Sequence, residues 1–371
     1  MSAVSRVSVP VQAAGNRNYE VVIAPGLLSR VGIEAVAAAP KVRRWVVVSD
    51  ATVATLFAQD VLGSFEPTGC GVDLLTFPAG ERHKTRETWA SLSDDLMDLG
   101  VGRDGGIVAL GGGVTGDLAG FVAATFMRGI PVVQVPTSIV AMVDSAVGGK
   151  TGVDTAKGKN LVGAFHPPAR VVVDPAAVKT LPRPQRAEGL AEAVKHGAIV
   201  DLEYMRQLAA SAEELLAGKV DAVHAMVVRS IQIKAEVVSR DEREGGVREI
   251  LNFGHTIGHA LEAASDFGLS HGEAVAAGMV LEARLGETLG GTPEGTARDL
   301  STVLEAVELP VVPAMGLSPE RVLSFVRADK KARDGRPRFV LLGSLGSIWK
   351  DGDRWSHAVD ASALRDLLDS A

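Results

Sequence analysis

The chain has 371 residues, of which 46% are hydrophobic and 22% charged, and its formal net charge is −7. This length accommodates two ordinary domains, each with its own core. No run of eighteen uninterrupted apolar residues indicates a membrane span. The negative charge argues against nucleic acid as a partner, because binding a phosphate backbone requires a broad basic surface. An anionic ligand must therefore meet a local basic cluster.

The single cysteine, Cys70, cannot form an internal disulfide, which fits a reducing compartment. Nothing around it resembles an activated thiol, so we interpret it as structural. Residues 1–6 lack the apolar region of a signal peptide. We therefore expect a cytoplasmic protein.

Short apolar runs rich in β-branched residues predict strands in the first half of the chain, at 45–49, 73–77, 106–110, 132–135 and 171–174. Helix-length segments separate them. Continuously apolar strands alternating with helices predict a parallel sheet covered on both faces, which is an architecture typical of nucleotide binding.

The pattern changes after about residue 181. Helical periodicity dominates from there, at 188–199, 220–239, 249–264 and 273–289, followed by a strand pair at 339–342 and 347–349 and a terminal helix at 362–368. We therefore predict a Rossmann-like α/β nucleotide-binding domain over 1–181. A mainly α-helical domain over 182–371 is expected to bind metal and substrate.

A glycine turn, 111–117, follows the predicted strand 106–110 and precedes a helical pattern that continues to about residue 127. Consecutive glycines let a backbone approach a pyrophosphate, and the helix N-terminus offers free N–H groups. The turn departs from the Gly-x-Gly-x-x-Gly fingerprint, so a simple tight turn is the alternative. Asp50, after strand 45–49, suits either ribose hydroxyls or a helix N-cap.

A dense polar segment at 144–154 contains Gly-Gly-Lys-Thr, as at the end of a P-loop. The first glycine that a P-loop requires is replaced by Asp144, so we reject an ATPase. Lys150 beside flexible glycines still suits an anionic ligand, and Arg128 adds a planar donor fork. The alternative for any one of these cations is a solvated loop charge.

The segment 248–259 carries Arg248, Asn252, His255 and His259 at spacings of three and four, which a helix would place on one stripe. Such a stripe among apolar neighbours is expensive to bury without metal, substrate or hydrogen-bond partners. Glycines interrupt the helical pattern at 254 and 258, and each needs a packing or functional reason. A solvated face bearing several histidines is the alternative interpretation.

A carboxylate and two histidines with an open coordination position form a catalytic zinc set, which makes Glu192, His255 and His271 one hypothesis. The pair His255 and His259 is the other, since histidines four apart on a helix also bind zinc. Spacing does not choose between them. Glu192 and Lys195 lie three apart, which also fits a surface ion pair.

With these residues in view, the chain resembles the 3-dehydroquinate synthase family of sugar phosphate cyclases. The resemblance covers most of the chain and rests on Asp50 and the segments 111–117, 144–154, 158–160, 188–195, 234–238, 241–244, 248–259, 271–273 and 329–331. It implies an α/β NAD-binding domain, a helical domain and a homodimer.

The resemblance also implies site residues. Zinc, or cobalt, would be held by Glu192, His255 and His271, leaving His259 as a proton-transfer residue that faces the substrate. The implied NAD contacts are Asp50, Glu81, Lys84, Gly112, Gly113, Val114, Asp117, Thr137, Ser138, Lys159, Thr180, Leu181 and Gln185. The implied substrate contacts are Arg128, Asp144, Lys150, Asn160, Lys195, Lys234, Arg248, Asn252, His259 and one lysine of the pair 330–331, assigned to Lys330. Converging cations suit a small sugar phosphate that carries carboxylate and phosphate.

The implied reaction converts 3-deoxy-D-arabino-heptulosonate 7-phosphate to 3-dehydroquinate, within the shikimate pathway. It comprises transient oxidation by NAD, phosphate elimination, reduction, ring opening and aldol closure. One alternative is a related cyclase acting on sedoheptulose 7-phosphate or glucose 6-phosphate. Another is a metal-dependent polyol dehydrogenase, which would not need the lysines that bind phosphate. A third, a catalytically silent nucleotide-binding module, would be expected to have lost some of the proposed site residues.

Overall fold

The computed structural model describes residues 3–11, 18–156, 158–266, 268–312, 317–328 and 337–369. The chain forms two compact units, one comprising Met1–Leu181 with Lys219–Ser239 and the other Pro182–Gly218 with Arg240–Ala371. The predicted boundary after residue 181 coincides with a boundary between these units. The predicted assignment of 219–239 to the second domain was wrong, because this segment packs with the first unit.

The strands of the first unit are β1 (Ser5–Val9), β2 (Tyr19–Ile23), β3 (Arg44–Asp50), β4 (Gly71–Phe77), β5 (Gly105–Gly111), β6 (Val132–Pro136), β7 (Lys150–Thr155), β8 (Gly158–Phe165) and β9 (Arg170–Val173). Seven of them form one sheet in the order β1-β2-β9-β6-β5-β3-β4. Every pairing from β2 onward is parallel, whereas β1 and β2 are antiparallel. The predicted parallel sheet is therefore confirmed, with an antiparallel edge that the sequence analysis missed.

Both faces of the central strands are covered. In β3, Trp45 and the three following valines are all fully buried, and every residue of β5 is buried. Successive side chains of a strand point to opposite faces, so continuous burial requires packing on each side. The apolar runs that predicted these strands are thus the sequence signature of a sheet without a solvent face.

The helices are α1 (Val31–Ala38), α2 (Ala51–Gly63), α3 (Arg86–Asp98), α4 (Gly113–Thr125), α5 (Arg183–Val200), α6 (Leu202–Ala210), α7 (Ala212–Leu216), α8 (Val220–Arg240), α9 (His255–Ala264), α10 (His271–Thr288), α11 (Thr296–Ala306), α12 (Pro319–Ala328) and α13 (Ala361–Asp369). In the first unit, α8 is held to β1 by a hydrogen bond between His224 and Ser5 at 3.2 Å. Within the described residues, no helix is both long and apolar enough to cross a membrane.

Strands β7 and β8 form a separate antiparallel ribbon in the first unit. The two strands of the ribbon approach each other closely because Gly152 and Gly163 are opposite each other. A Cβ on Gly163 would lie 2.1 Å from the carbonyl oxygen of Thr151. Most side chains of β8 are exposed, including Leu161, Val162 and Phe165. One strand of this ribbon therefore presents apolar groups to solvent in the isolated chain.

The second unit is mainly helical, as predicted, with short strand pairs near the end of the chain. The pairs join β10 (Arg338–Phe339) with β13 (His357–Ala358) and β11 (Leu342–Ser344) with β12 (Ser347–Ile348). Helices α9, α10, α12 and α13 share one apolar core. Helices α9 and α10 approach closely because glycines meet there: a Cβ on Gly278 would lie 2.7 Å from the backbone nitrogen of Gly258.

The predicted continuous helix over 249–264 was wrong at its start. A 3₁₀ helix covers Val247–Asn252, and α9 begins only at His255. Gly254 breaks the path because its φ is +78°, a left-handed conformation that glycine adopts without the steric cost of a Cβ. The two glycines of this pattern therefore have separate roles, since Gly254 turns the chain and Gly258 allows close helix packing.

Candidate active-site clusters

Three helices of the second unit bring Glu192, His255 and His271 together. Glu192 lies within α5, and the histidines are the first residues of α9 and α10. The Glu192 Oε1 atom is 3.3 Å from His255 Nε2 and 3.2 Å from His271 Nε2. Each residue offers a donor atom, and these atoms all lie within 4.8 Å of one another. The sequence hypothesis of a ligand set drawn from distant segments thus has the geometry that it requires.

The outer nitrogens of both imidazoles also have partners. His255 Nδ1 lies 3.1 Å from the carbonyl oxygen of Phe253, and His271 Nδ1 lies 3.6 Å from Glu262 Oε2. Histidine ligands of metals commonly donate their second N–H to a carbonyl or a carboxylate, which turns the first nitrogen toward the ion. One carboxylate and two so oriented imidazoles suit a divalent transition metal with a further coordination position.

Charges around Glu192 keep it ionised. Burial opposes the charged form, but the Lys195 ammonium and His255 outweigh it and hold the pKa of Glu192 well below its usual value. Lys195 donates a hydrogen bond to Glu192 Oε2 and is itself buried. The pair that spacing alone presented as a surface ion pair is therefore an interior one.

The two histidines of this cluster differ in basicity. Burial, and then the nearby Lys195 charge, lower the pKa of His255. Burial also opposes protonation of His271, but hydrogen bonds to Glu192 and Glu262 raise its pKa to about 9. His271 therefore lies between two carboxylates, whereas His255 faces only one of them.

His259 completes a group of three imidazoles. Its ring centroid lies 5.2 Å from that of His255 and 5.9 Å from that of His271. His259 occupies the position four residues after His255 on α9, and its side chain is exposed in the isolated chain. The structure therefore places His259 beside the convergent set with Glu192, at a position that suits contact with a ligand.

Arg248 and Asn252 lie on the 3₁₀ helix before Gly254, so they share no helical stripe with the histidines of α9. Arg248 is buried, and its guanidinium donates to the carbonyl oxygen of Glu242 at 2.5 Å. Asn252 donates from Nδ2 to Glu244 Oε1 at 2.9 Å. The predicted single stripe is thus replaced by two short helical segments joined at a left-handed glycine.

The loop before Arg248 is organised by Asp241. Its carboxylate accepts the backbone N–H groups of Gly245, Gly246 and Arg248 at 3.0, 2.7 and 3.0 Å. Burial opposes the charge, but these hydrogen bonds lower the pKa of Asp241. The sequence analysis did not single out Asp241 for this role, although an Asp followed by Glu-Arg-Glu-Gly-Gly is a common turn composition.

The first unit contains the predicted strand, glycine turn and helix. Strand β5 ends at Gly111, and α4 begins at Gly113 without a side-chain cap. A Cβ on Gly111 would lie 2.4 Å from Thr115 Oγ1, and one on Gly116 2.8 Å from Gln134 Oε1. The glycines therefore let α4 start against its neighbours while its first N–H groups have no side-chain cap, which suits an anion.

Charged residues predicted for the cofactor site gather near α4. The buried Lys84 places Nζ 2.7 Å from Asp117 Oδ2 and 3.8 Å from Glu81 Oε1, which in turn is 3.8 Å from Lys159 Nζ. Burial opposes protonation of Lys84, but Asp117 and then Glu81 raise its pKa. Four of the predicted residues thus form one chain of ion pairs.

Asp50 acts as a helix cap. Its Oδ1 atom accepts the N–H groups of Thr52 and Val53 at 3.0 Å, while Oδ2 accepts from Thr115 Oγ1 at 3.4 Å. The capping alternative is therefore what the structure contains. A ribose contact for Asp50 stays a prediction.

Asp144 and Lys234, both predicted substrate residues, are paired within the first unit. Asp144 lies in a π-helical turn, Ala141–Ser145, and its Oδ1 is 2.7 Å from Lys234 Nζ. Lys234 is buried on α8, the helix that packs with the first unit. Thr137 and Ser138, from the NAD set, lie between the end of β6 and the same turn.

The other polar residues predicted for the first unit are exposed. Lys150 begins β7, and Asn160 lies on β8 with a φ of +53°. Met127 and Arg128 have φ values of +50° and +68°. Left-handed non-glycine residues cost roughly 1–3 kcal/mol each and tend to persist at functional positions. Arg128 therefore carries backbone strain of this kind, whereas asparagine tolerates the left-handed region at Asn160.

The remaining predicted NAD residues are separated between the two units. Thr180 ends a 3₁₀ helix and Leu181 follows it, whereas Gln185 lies in the first turn of α5 in the second unit. Lys330 and its neighbour at 331 lie outside the described residues.

Two functional candidates escaped the sequence analysis. Glu262 follows His255 by seven positions and His259 by three, so extending the helical stripe would have identified it. Glu282, fully buried on α10, accepts the N–H groups of Gly254 and Ile257 at 2.7 and 3.1 Å. No local pattern reveals Glu282, because its partners are about 25 residues away.

Comparisons with known proteins show the family of the chain. Two family models match, 3-dehydroquinate synthase N-terminal over residues 74–188 and 3-dehydroquinate synthase C-terminal over residues 189–332. Proteins named 3-dehydroquinate synthase are 44% identical in Symbiobacterium thermophilum, over 90% of this chain and 94% of the relative, and 43% identical in Caulobacter vibrioides, over 97% and 98%.

Solved structures of similar fold include other cyclases. A 2-deoxy-scyllo-inosose synthase complexed with carbaglucose-6-phosphate, NAD+ and Co2+ has a TM-score of 0.90 and 26% identity, covering 99% of this chain and 100% of that one. A 2-epi-5-epi-valiolone synthase from Streptomyces hygroscopicus with NAD+ and Zn2+ bound has a TM-score of 0.85 and 27% identity, covering 97% and 98%. A probable glycerol dehydrogenase from Sinorhizobium meliloti, at 16% identity, TM-score 0.66 and coverage of 94% and 95%, shares the fold alone.

Proposed function

The chain belongs to the 3-dehydroquinate synthase family, and we propose that it converts 3-deoxy-D-arabino-heptulosonate 7-phosphate to 3-dehydroquinate and phosphate. The observation that carries the proposal is the convergence of Glu192, His255 and His271 in a chain with this ancestry. Identities of 42–44% to synthases of this name, against 25–27% to cyclases with other names, favour this substrate over the rival sugar phosphates.

We infer that Glu192, His255 and His271 hold a divalent ion, zinc or cobalt. The donor set fits, because it combines one carboxylate with two imidazoles whose outer nitrogens have partners. When bound, the ion supplies Lewis acidity at the substrate's hydroxyl groups, and NAD supplies a transient hydride acceptor. Lys195 offsets the charge of Glu192, so that the carboxylate stays ionised before the ion arrives.

The other proposed site residues of the second unit bind the substrate or transfer protons to it. His259, exposed beside the two proposed histidine ligands, is placed to exchange a proton with a substrate hydroxyl. Arg248 and Asn252 supply donors that recognise a carboxylate or a hydroxyl group. Because Asp241 and Glu244 hold this segment, these donors are fixed before substrate binds, which lowers the entropic cost of binding.

The first unit supplies the proposed NAD and phosphate contacts. The uncapped start of α4 suits a pyrophosphate. Asp117, on the same helix, begins an ion-pair chain that runs through Lys84 and Glu81 to Lys159. NAD binding by Asp50, Glu81, Gly112, Val114 and the others predicted for this cofactor is part of the proposal. Lys150, Lys234 and Arg128 are the proposed cations for substrate anions in this unit.

A test of this function follows phosphate release from the heptulosonate phosphate, with and without a chelator, while the absorbance of reduced NAD is recorded. Metal-dependent release without net cofactor reduction supports the synthase. Steady accumulation of reduced cofactor would favour a polyol dehydrogenase instead. Sedoheptulose 7-phosphate and glucose 6-phosphate, assayed in parallel, separate the related cyclases, and faster turnover of either would overturn the substrate assignment.

The variant Glu192→Ala is expected to lose both bound metal and turnover. Its matched control is Glu287→Gln, also in the second unit, on α10. Glu287 is not a proposed ligand, and one of its carboxylate oxygens accepts the N–H of Ala297 at 2.9 Å. Metal analysis after dialysis measures retention in both. Full activity of Glu192→Ala would remove this residue from the ligand set.

We also infer that the protein is a homodimer whose interface includes the ribbon strand β8. Leu161, Val162 and Phe165 are 39%, 38% and 50% exposed, and Met127 is 41% exposed in the same unit. An edge strand with apolar side chains is a template for pairing, and a second copy of the same strand can cover it symmetrically.

A cytoplasmic location likewise remains a prediction.

Light scattering tests the dimer. Phe165→Lys is expected to shift the mass toward the monomer because it places a charge on the covered strand. Met97→Lys, at a 55% exposed apolar position on α3, is the control and is expected to leave the mass unchanged. A wild-type chain that is monomeric at micromolar concentration would overturn the dimer.

A further inference from the structure

We propose that Glu262 is the positioning carboxylate for His271, holding this imidazole so that its Nε2 atom points at the divalent ion. The inference rests on the proposed metal role of Glu192, His255 and His271. It extends that role to a residue that coordinates nothing itself.

The geometry begins with the two ends of the His271 ring. Its Nε2 atom is 3.2 Å from Glu192 Oε1, and its Nδ1 atom is 3.6 Å from Glu262 Oε2. The imidazole therefore lies between two carboxylates that face opposite nitrogens. If an ion binds Nε2, the ring keeps its Nδ1–H, and this N–H faces the Glu262 carboxylate 3.6 Å away.

The placement of Glu262 follows from helix α9. His255, His259 and Glu262 stand at positions i, i+4 and i+7, so that one face of α9 carries all three. Glu262 is only 5% exposed. A carboxylate is costly to bury without charged or hydrogen-bonding partners, and the His271 imidazole is one such partner.

The two imidazoles of the proposed site are oriented by different groups. His255 directs Nδ1 to a neutral acceptor, the carbonyl oxygen of Phe253, which its own backbone supplies. His271 begins α10 and directs Nδ1 to a charged group instead, the side-chain carboxylate of Glu262. Removing the carboxylate of Glu262 therefore affects one ligand and leaves the other oriented.

The consequence is a loss of metal affinity without loss of a ligand. Removing the partner of a ligand histidine typically weakens metal binding about 10- to 100-fold. Glu262→Ala is expected to raise the dissociation constant for Co2+ by that factor. Glu262→Gln keeps an oxygen that accepts the N–H but removes the charge, so it is expected to restore part of the affinity.

The experiment titrates the metal-free full-length variants with Co2+ and records both the dissociation constant and the ligand-field absorption bands. Glu287→Gln controls for losing a carboxylate from the same unit, and Glu192→Ala for losing a ligand. Urea unfolding of each metal-free variant separates a change in affinity from a change in stability. The expected order of affinity is wild type and Glu287→Gln, then Glu262→Gln, then Glu262→Ala, with shifted bands in the last.

Three outcomes overturn either the positioning role or the metal site. If Glu262→Ala binds Co2+ like the wild type while Glu192→Ala does not, the positioning role of Glu262 is wrong and the metal site stands. If Glu192→Ala also binds like the wild type, the metal site itself is wrong. An affinity loss in Glu262→Ala that merely parallels its loss of unfolding free energy, with no partial rescue by Gln, also rejects the positioning role.

Discussion

The buried carboxylate of Glu282 gives the sharpest test of how the second unit holds its site. Its two oxygens accept the N–H groups of Gly254 and Ile257, at 2.7 and 3.1 Å, where α9 begins. Gly254 has no side chain to cap these orphan donors, so the cap comes from α10 instead. Glu282 thus links the start of the helix that carries His255 and His259 to its neighbour.

The isosteric variant Glu282→Gln keeps one acceptor but turns an NH2 group toward the other backbone N–H. Leaving a buried donor unsatisfied costs about 1–3 kcal/mol, and hydrogen bonds to charged groups lie at the upper end of the usual range. We expect the free energy of unfolding to fall by about 2–3 kcal/mol on this basis. Glu282→Ala, which strands both donors and leaves a cavity, is expected to lose roughly 3–6 kcal/mol.

Urea unfolding of the metal-free protein, followed by circular dichroism, measures these losses. Glu287→Gln lies on the same helix and retains the single oxygen that accepts the N–H of Ala297, so its unfolding free energy should change by less than about 0.5 kcal/mol. If Glu282→Gln unfolds at the same urea concentration as Glu287→Gln, the buried cap contributes nothing and the reasoning fails.

Three other substitutions test separate features of the two units. In Gly272→Ala the new Cβ would lie 2.2 Å from a backbone oxygen of α5, so α10 must shift. The affinity for Co2+ should then fall at least tenfold. The control Gly63→Ala, with open space around the new Cβ, should leave the affinity unchanged. The pKa of Asp241 is lowered in the fold, so the stability that its carboxylate contributes is present above the unfolded pKa of about 4 and is lost as pH falls through the lower folded value. The urea midpoints of the wild type and Asp241→Asn should therefore converge in acid. A difference that stays constant with pH would contradict this. Lys84→Met leaves the carboxylate of Asp117 buried without its 2.7 Å partner and should reduce the free energy of unfolding by roughly 2–4 kcal/mol. In a thermal melt, the double variant Lys84→Met/Asp117→Asn should recover part of this loss.

Local patterns predicted most of the first unit correctly. Five apolar runs became β3, β4, β5, β6 and β9, and the glycine turn after β5 leads into α4 as expected. Strands buried on both faces and glycines at close approaches leave strong local signals, because each residue's environment restricts its own type. The antiparallel pair β1–β2 and the β7–β8 ribbon were missed, since their residues are more polar and only pairing with a partner strand defines them.

The helix 249–264 shows where periodicity misleads. The apolar and polar spacing continues across Gly254, but the backbone does not, because a left-handed glycine separates the 3₁₀ segment from α9. The assignment of 219–239 failed for a related reason. Helical periodicity predicted α8 correctly but not its partners: the helix packs with the first unit, where Lys234 meets Asp144 from ninety residues away along the chain.

By itself the sequence determined the fold class, which segments form most of the helices and strands, and which side chains are able to bind metal. These features depend on local spacing and chemistry. Only the tertiary structure brings Glu192 and His271 to His255, from positions 63 and 16 residues away along the chain, and this convergence favours one of the two proposed metal sets. It alone also revealed Glu282, and it placed Glu262 beside His271. Such contacts form between segments whose separation along the chain carries no periodic signal, so they follow from packing rather than from pattern.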